Sequence, residues 1–218
     1  TDTKEAISQS HKIYQNNFQE EIQREITLDS DFESDYYFQI DRNYITSQTK
    51  NGLMIVHQQR AHQRILYEYF KQNKKVKMSS QKLIFPEKIS LSKKDISEIE
   101  DIKNELNNVG FEIDIKEDYV EIHAVPQQCE NENLQKLFDE ILKEQEVENS
   151  DIKEKFSSKL CKTLSNSLSI KRGKKLTQEE MRLLIEELLK CDTPTISPFG
   201  LNTYFNVKTE EINKKFNK

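Results

Sequence analysis

The 218-residue chain holds only 4 glycines and 4 prolines. So few chain-breaking residues exclude a Gly/Pro-rich linker protein and argue against a many-turned β-sandwich. No apolar run approaches the ~20 residues that a membrane-spanning helix needs, and no secretory signal opens the sequence, so no membrane role is expected. Cysteine is scarce: Cys129, Cys161 and Cys191 are odd in number and widely spaced, as expected of free thiols in a reducing cytoplasm. An excess of positive charge is also missing. Against 38 Asp and Glu stand 33 Lys and Arg, a net charge of −5, which disfavours an autonomous, non-specific DNA binder. What remains is a chain with 34% hydrophobic residues, long enough for one domain or two small ones. Such a chain buries roughly 70% of its extended surface without a metal or disulfide staple. It opens on Thr1 and reads as a piece of a longer protein.

The hydrophobic pattern predicts an α+β fold. Residues 1–34, with an acidic patch from Asp29 to Asp35, read as a linker remnant. Tyr36, Phe38 and Ile40 alternate with polar residues, Asp41-Arg42-Asn43 turns, and Tyr44-Ile45-Thr46 resumes strand-type residues. Lys50-Asn51-Gly52 is a strong hairpin turn signal, because Asn and Gly tolerate positive φ. The run Leu53-Met54-Ile55-Val56 that follows predicts a strand buried on both faces, the last of a three-stranded antiparallel meander. Helical spacing predicts a helix over about 60–71, closed by the basic run Lys71 to Lys77. Gln81 to Pro86 then runs extended. Ser92 with Asp95 starts a helix carrying Ile96, Ile99, Ile102, Leu106 and Val109, ended by Gly110. A hairpin (Phe111–Ile115, Val120–Ala124), a helix over 131–145 and an acidic connector at Glu144–Asp151 come next. Phe156, Leu160, Leu164 and Leu168 step by four along a helix over about 151–171. Thr177 with Glu180 caps another, and Tyr204–Val207 reads as a last strand. The block 87–149 has the makings of an inserted subdomain, with its flanks closing one sheet.

The stretch from Gly52 through His57, Gln58, Gln59 and Gln63 to Glu68, the Gln81–Pro86 segment, Ile170 to Leu176, and Cys191 to Gly200 follow one another in a familiar order. Together they resemble the C-terminal domain of the MutL DNA mismatch-repair family over about residues 36–216. The resemblance implies a homodimerisation module: a dimerisation subdomain from 35–86 and 150–218, and an inserted regulatory subdomain at 87–149. It implies an interface on the meander and final strand, with Ile45, Leu53, Ile55, Tyr204 and Phe205 as candidates. Implied partners are a second copy, the replicative sliding clamp and the mismatch-recognition protein MutS, with DNA met mainly through the full-length protein. The implied location is the bacterial cytoplasm, at the nucleoid during repair. ATP and magnesium would belong to an N-terminal ATPase domain outside this chain, and no cofactor is expected within it.

Many members of the resembled family carry a metal-dependent nicking endonuclease on Asp-Gln-His-Ala-x-x-Glu-x-x-x-x-Glu. Here Gln58 is retained, His57 replaces the Asp, Gln59 the His and Gln63 the first Glu, and of the ligand positions only Glu68 matches. Ser165-Asn166-Ser167 stands for Ala-Cys-Arg, and Ser197-Pro198-Phe199 for Cys-Pro-His. Carboxamide, hydroxyl and phenyl groups cannot hold two catalytic cations, so no nuclease is expected; the alternative is an endonuclease with rearranged ligands. His57 and His62, with Cys161 or Cys191, lack metal-ligand spacing. Gln81, Ile84 and Pro86 resemble the Gln-x-x-Ile-x-Pro segment with which such proteins engage the sliding clamp; otherwise it is an ordinary edge strand with Leu83 and Phe85 packed inward. The basic clusters Lys71–Lys77 and Lys171–Lys175 offer contact with phosphates, or are solvated surface.

Overall fold

The computed structural model describes residues 32–72, 80–129, 133–145 and 152–217. Residues 1–31 of the linker expected over 1–34, most of the basic run after Gln72 and most of the acidic connector lie outside them. The fold is α+β, and its two compact units divide between Ala61 and His62 and between Ile170 and Lys171. These boundaries are wider than 87–149. Strand β4 belongs with the inserted block because its ladder partners are there.

The first unit is built on a four-stranded antiparallel sheet of β1 (Phe32–Ile40), β2 (Tyr44–Thr49), β3 (Gly52–His57) and β7 (Tyr204–Lys208), in the order β1-β2-β3-β7. β1 begins inside the stretch read as linker. The β1–β2 turn closes by the Asn43 amide donating to the Ile40 carbonyl at 3.1 Å, with Asp41 and Arg42 both at positive φ (49° and 47°). These are the backbone values of a type I′ turn, the one that matches strand twist. Gly52 is required for a different reason than a turn. A Cβ built there would lie 2.0 Å from the Val207 carbonyl, so only glycine lets β7 pair with β3. Helix α6 (Gln178–Leu189) starts in a reciprocal Thr177–Glu180 capping box. The Gln178 side chain accepts from the Tyr37 amide and donates to the Tyr37 carbonyl, which occupies part of the exposed β1 edge. Helix α7 (Thr209–Phe216) follows β7.

The second unit holds β4 (Ser80–Ser90), β5 (Glu112–Ile115) and β6 (Tyr119–Pro126) in the order β4-β6-β5. Helices α2 (Lys93–Asp101), α3 (Lys103–Asn108), α4 (Leu134–Gln145) and α5 (Ile152–Ser167) complete it. Helix α1 (Gln58–Gln72) spans the boundary between the units. The single helix expected from Ser92 to Val109 is two, because Ile102 leaves helical geometry (φ −111°, ψ 6°). Its side chain stays buried, so the apolar stripe continues across the break. One core joins Leu66 and Phe70 of α1 to Ile89, Ile99, Leu106, Ile122 and Leu164, with Phe111 and Phe138 edge-to-face at 5.6 Å.

Candidate functional site

In an antiparallel ladder, residues directly opposite share a face, and each strand alternates. In the first unit, Gln39, Ile45, Val56 and Tyr204 form one cross-strand row, flanked by Tyr37, Ser47 and Met54. All of these but the half-buried Gln39 are buried. The opposite face carries Phe38, Thr46, Ile55 and Phe205 in one row, Ile40, Tyr44 and His57 in a second, and Leu53 with Val207 in a third. This face is open. Tyr36, Phe38, Ile40, Tyr44 and Phe205 are between 40% and 71% exposed, while Leu53, Ile55 and Val207 are half-buried. With ~200 Å² per large side chain, the five most exposed residues alone leave roughly 500 Å² of apolar surface in water. That is large for a monomer's surface patch.

Leu53, Ile55 and Phe205 therefore lie on the open face, whereas Ile45 and Tyr204 do not. These two have the opposite parity and fill the chain's own core. The strand Leu53–Val56, expected to be buried on both faces, is covered on the Met54 and Val56 side alone. Sequence reasoning missed Tyr36, Phe38, Ile40, Tyr44 and Val207 as surface residues, although the alternation of the first three was visible.

His57 lies on the open face, its ring edge-on to Tyr44 at 5.3 Å between centroids. It is also the residue before α1, and its Nδ1 accepts from the Arg60 amide at 3.4 Å, in the manner of a helix N-cap. Burial first, then the Arg60 and Arg172 charges, hold its pKa below the ordinary 6.5. The next residue, Gln58, is fully buried. Its amide nitrogen donates to the Arg42 carbonyl at 2.7 Å and the Lys174 carbonyl at 3.2 Å. Its oxygen accepts from Gln39 Nε2 at 2.7 Å, and Gln39 Oε1 accepts from the Leu176 amide. Gln58 thus joins the β1–β2 turn to the 171–176 loop.

The vacated endonuclease positions are divided between the two units. In the first, Gln59 is half-buried and Phe199 exposed. Ser197 is buried, and its Oγ accepts from the Phe199 and Leu201 amides, holding its own loop. In the second, Gln63 donates to Asn166 Oδ1 at 2.9 Å. Glu68 is buried beside Arg64, whose guanidinium lies 3.4 Å from its carboxylate. A protein cation neutralises the retained carboxylate, and two carboxamides satisfy each other. This donor set does not fit catalytic metal ions. Within 4.8 Å of one another, Asp114, Glu121 and His123 are the ligand-type cluster among the described residues. They lie away from His57, His62 and the cysteines in sequence, with Lys116 and Lys88 each 3.9 Å from a carboxylate.

Strand β4 is an edge strand with a wide break in register. Lys82 pairs with Ala124 and Glu87 with Ile122, so residues 83 to 86 face the single residue 123. Leu83 packs on the core, but Ile84 is 91% and Phe85 83% exposed. Phe85 does not pack inward, because the bulge turns it out of the pleat. Gln81 and Pro86 are exposed beside them.

Because the His57 pKa is depressed in the folded chain, the unfolded chain binds the extra proton more readily. The associated stability is complete above about pH 6.5 and is lost as pH falls through the lower folded value. Urea midpoints compared at pH 7.5 and pH 5 fall less for His57→Asn, which keeps a cap acceptor, than for the parent chain; equal falls contradict this role for His57.

Comparison with known proteins supplies a family for this arrangement. Residues 37–176 match the family described as the MutL C terminal dimerisation domain. A protein of Flavobacterium johnsoniae named DNA mismatch repair protein MutL is 33% identical over 99% of this chain and 34% of its own length. Proteins of the same name from Flavobacterium psychrophilum and Bacteroides fragilis are 32% and 30% identical, over 82% and 83% of this chain and 30% and 29% of their own lengths. The chain thus spans about a third of the length of these curated relatives. With a matching family model over most of its described core and an uncovered apolar sheet face, the chain belongs to the MutL C-terminal dimerisation domain family.

Proposed function

We propose that this chain is the homodimerisation and partner-docking part of a bacterial mismatch-repair protein, and that it lacks nuclease chemistry of its own. The observation that carries this reading is the open face of the β1-β2-β3-β7 sheet, with Phe38, Ile55 and Phe205 in one cross-strand row. A second copy covers that face isologously, so that each protomer buries the other's row. Covering the roughly 500 Å² on each copy removes about 1,000 Å² of apolar surface from water, the scale at which specific interfaces begin. The dimer tethers two N-terminal ATPase domains, which lie outside this chain and use ATP and magnesium, and raises their effective concentration around DNA. The protein works in the cytoplasm, at the nucleoid during repair, with the mismatch-recognition protein MutS as a further partner.

The edge of β4 is the docking segment for the replicative sliding clamp. Exposed Ile84 and Phe85 are apolar anchors on an extended bulge, and Gln81 and Pro86 flank them; such a strand suits a preformed apolar groove. The Gln63–Asn166 pair and the Arg64–Glu68 ion pair support the absence of nuclease chemistry.

Three experiments test this reading. In sedimentation at micromolar concentration the chain is a dimer, and Phe38→Lys with Phe205→Lys weakens association by about 100-fold or more; a monomeric parent overturns the dimer. Gln81→Ala with Pro86→Ala abolishes clamp binding while leaving the dimer intact; unchanged clamp affinity removes that partner. Supercoiled DNA with manganese stays uncut; nicking that disappears in Glu68→Ala restores the endonuclease.

A further inference from the structure

An open cleft of about 800 Å³ in the first unit is lined by Gln39, Asp41, Arg42, Asn43, Arg172 and Gly173. Its two guanidinium groups come from two turns far apart in sequence. Arg42 projects from the β1–β2 turn, where its φ of 47° is fixed by the turn geometry. Arg172 projects from the turn that the Lys174 amide closes on the Lys171 carbonyl at 3.2 Å. The two turns are joined directly, the Gly173 amide donating to the Arg42 carbonyl at 3.2 Å. They are joined again by buried Gln58, whose amide bonds the carbonyls of Arg42 and Lys174. The backbone beneath both arginines is therefore set by an interior residue.

Charge in the cleft is not balanced from within. Neither the Arg42 nor the Arg172 side chain has an ion pair among the described residues. The one carboxylate lining the cleft, Asp41, is engaged by Asn43 Nδ2 at 3.0 Å. Lys174 is drawn to Glu180 at 3.9 Å, while Lys175 is exposed on the same loop. Two planar, permanently charged forks match a tetrahedral oxyanion better than a carboxylate, since each fork can engage two oxygens. The lining thus sets two guanidinium groups against one carboxylate.

We propose that Arg42 and Arg172 form a phosphate-recognition site, positioned by Gln58. The phosphate arrives either free, as in pyrophosphate, or on a nucleic-acid backbone.

The test uses the full 218-residue chain and two probes, pyrophosphate followed by calorimetry and a fluorescent 20-base-pair duplex followed by anisotropy. The parent chain binds at least one probe. Arg42→Asn with Arg172→Gln weakens that binding by about tenfold or more; Asn tolerates the left-handed backbone at position 42, so the melting temperature does not fall. For the duplex, the slope of log affinity against log salt falls by about 2. Competition by pyrophosphate for the duplex assigns the site to the nucleic-acid backbone, and pyrophosphate binding alone assigns it to the free anion. Arg172→Lys, which keeps the charge but not the fork, binds more weakly than the parent. Binding of neither probe overturns the proposal. So does an equal loss in Lys93→Gln with Lys136→Gln, which removes the same charge from the other unit.

Discussion

A four-stranded sheet that is apolar on both faces, in a unit whose own chain covers one of them, is the constraint on which this structure rests. Strand parity decides everything that follows. Ile45, Met54, Val56 and Tyr204 fall on the covered side and make the unit's core. Phe38, Ile55 and Phe205 fall on the other, where Ile55 is half-buried and the two phenyl rings are exposed. An antiparallel sheet with one solvated face normally alternates apolar with polar residues. Here the solvated face carries aromatic and branched side chains, a composition that costs solubility unless something covers it. Membership of a dimerisation family and this uncovered face are two independent observations of one requirement.

The same physical logic accounts for the positions that the sequence resemblance sets beside an endonuclease motif, where buried polar groups must find partners within the protein. Gln63 and Asn166 satisfy each other, Ser197 holds the amides of its own loop, and Arg64 sits beside the one retained carboxylate. The guanidinium beside the buried Glu68 carboxylate offsets its charge. Gln58, retained from the motif, has a structural role: through Gln39, Arg42 and Lys174 it binds the β1–β2 turn to the 171–176 loop.

Much of this was legible in the sequence. Both capping boxes, at Ser92–Asp95 and Thr177–Glu180, are local signals that the structure reproduces. The meander and the last strand follow from alternation. Other features were hidden for physical reasons. Hairpin register fixes which parity faces inward, and the continuous run Leu53–Val56 carries no parity of its own, so the sequence alone does not separate buried Ile45 and Tyr204 from Leu53, Ile55 and Phe205 on the open face. The turn at Asp41-Arg42-Asn43 is where the sequence places it, although the positive φ of Asp41 and Arg42 has no local signal. Gly52 serves instead to admit the Val207 carbonyl, a requirement set by a strand some 150 residues further along the chain. The exposure of Phe85 depends on the register break opposite residue 123, a tertiary feature without a local signature.

The central claim is that the open sheet face is the surface by which two copies meet. Hydroxyl-radical footprinting across a range of protein concentrations, with the association state followed by sedimentation, tests it most directly. The account predicts that Tyr36, Phe38, Tyr44 and Phe205 become protected together as dimer forms, while Ile84 and Phe85 on the β4 edge keep their full reactivity. Undiminished reactivity of Phe38 and Phe205 at concentrations where the protein sediments as a dimer would contradict it.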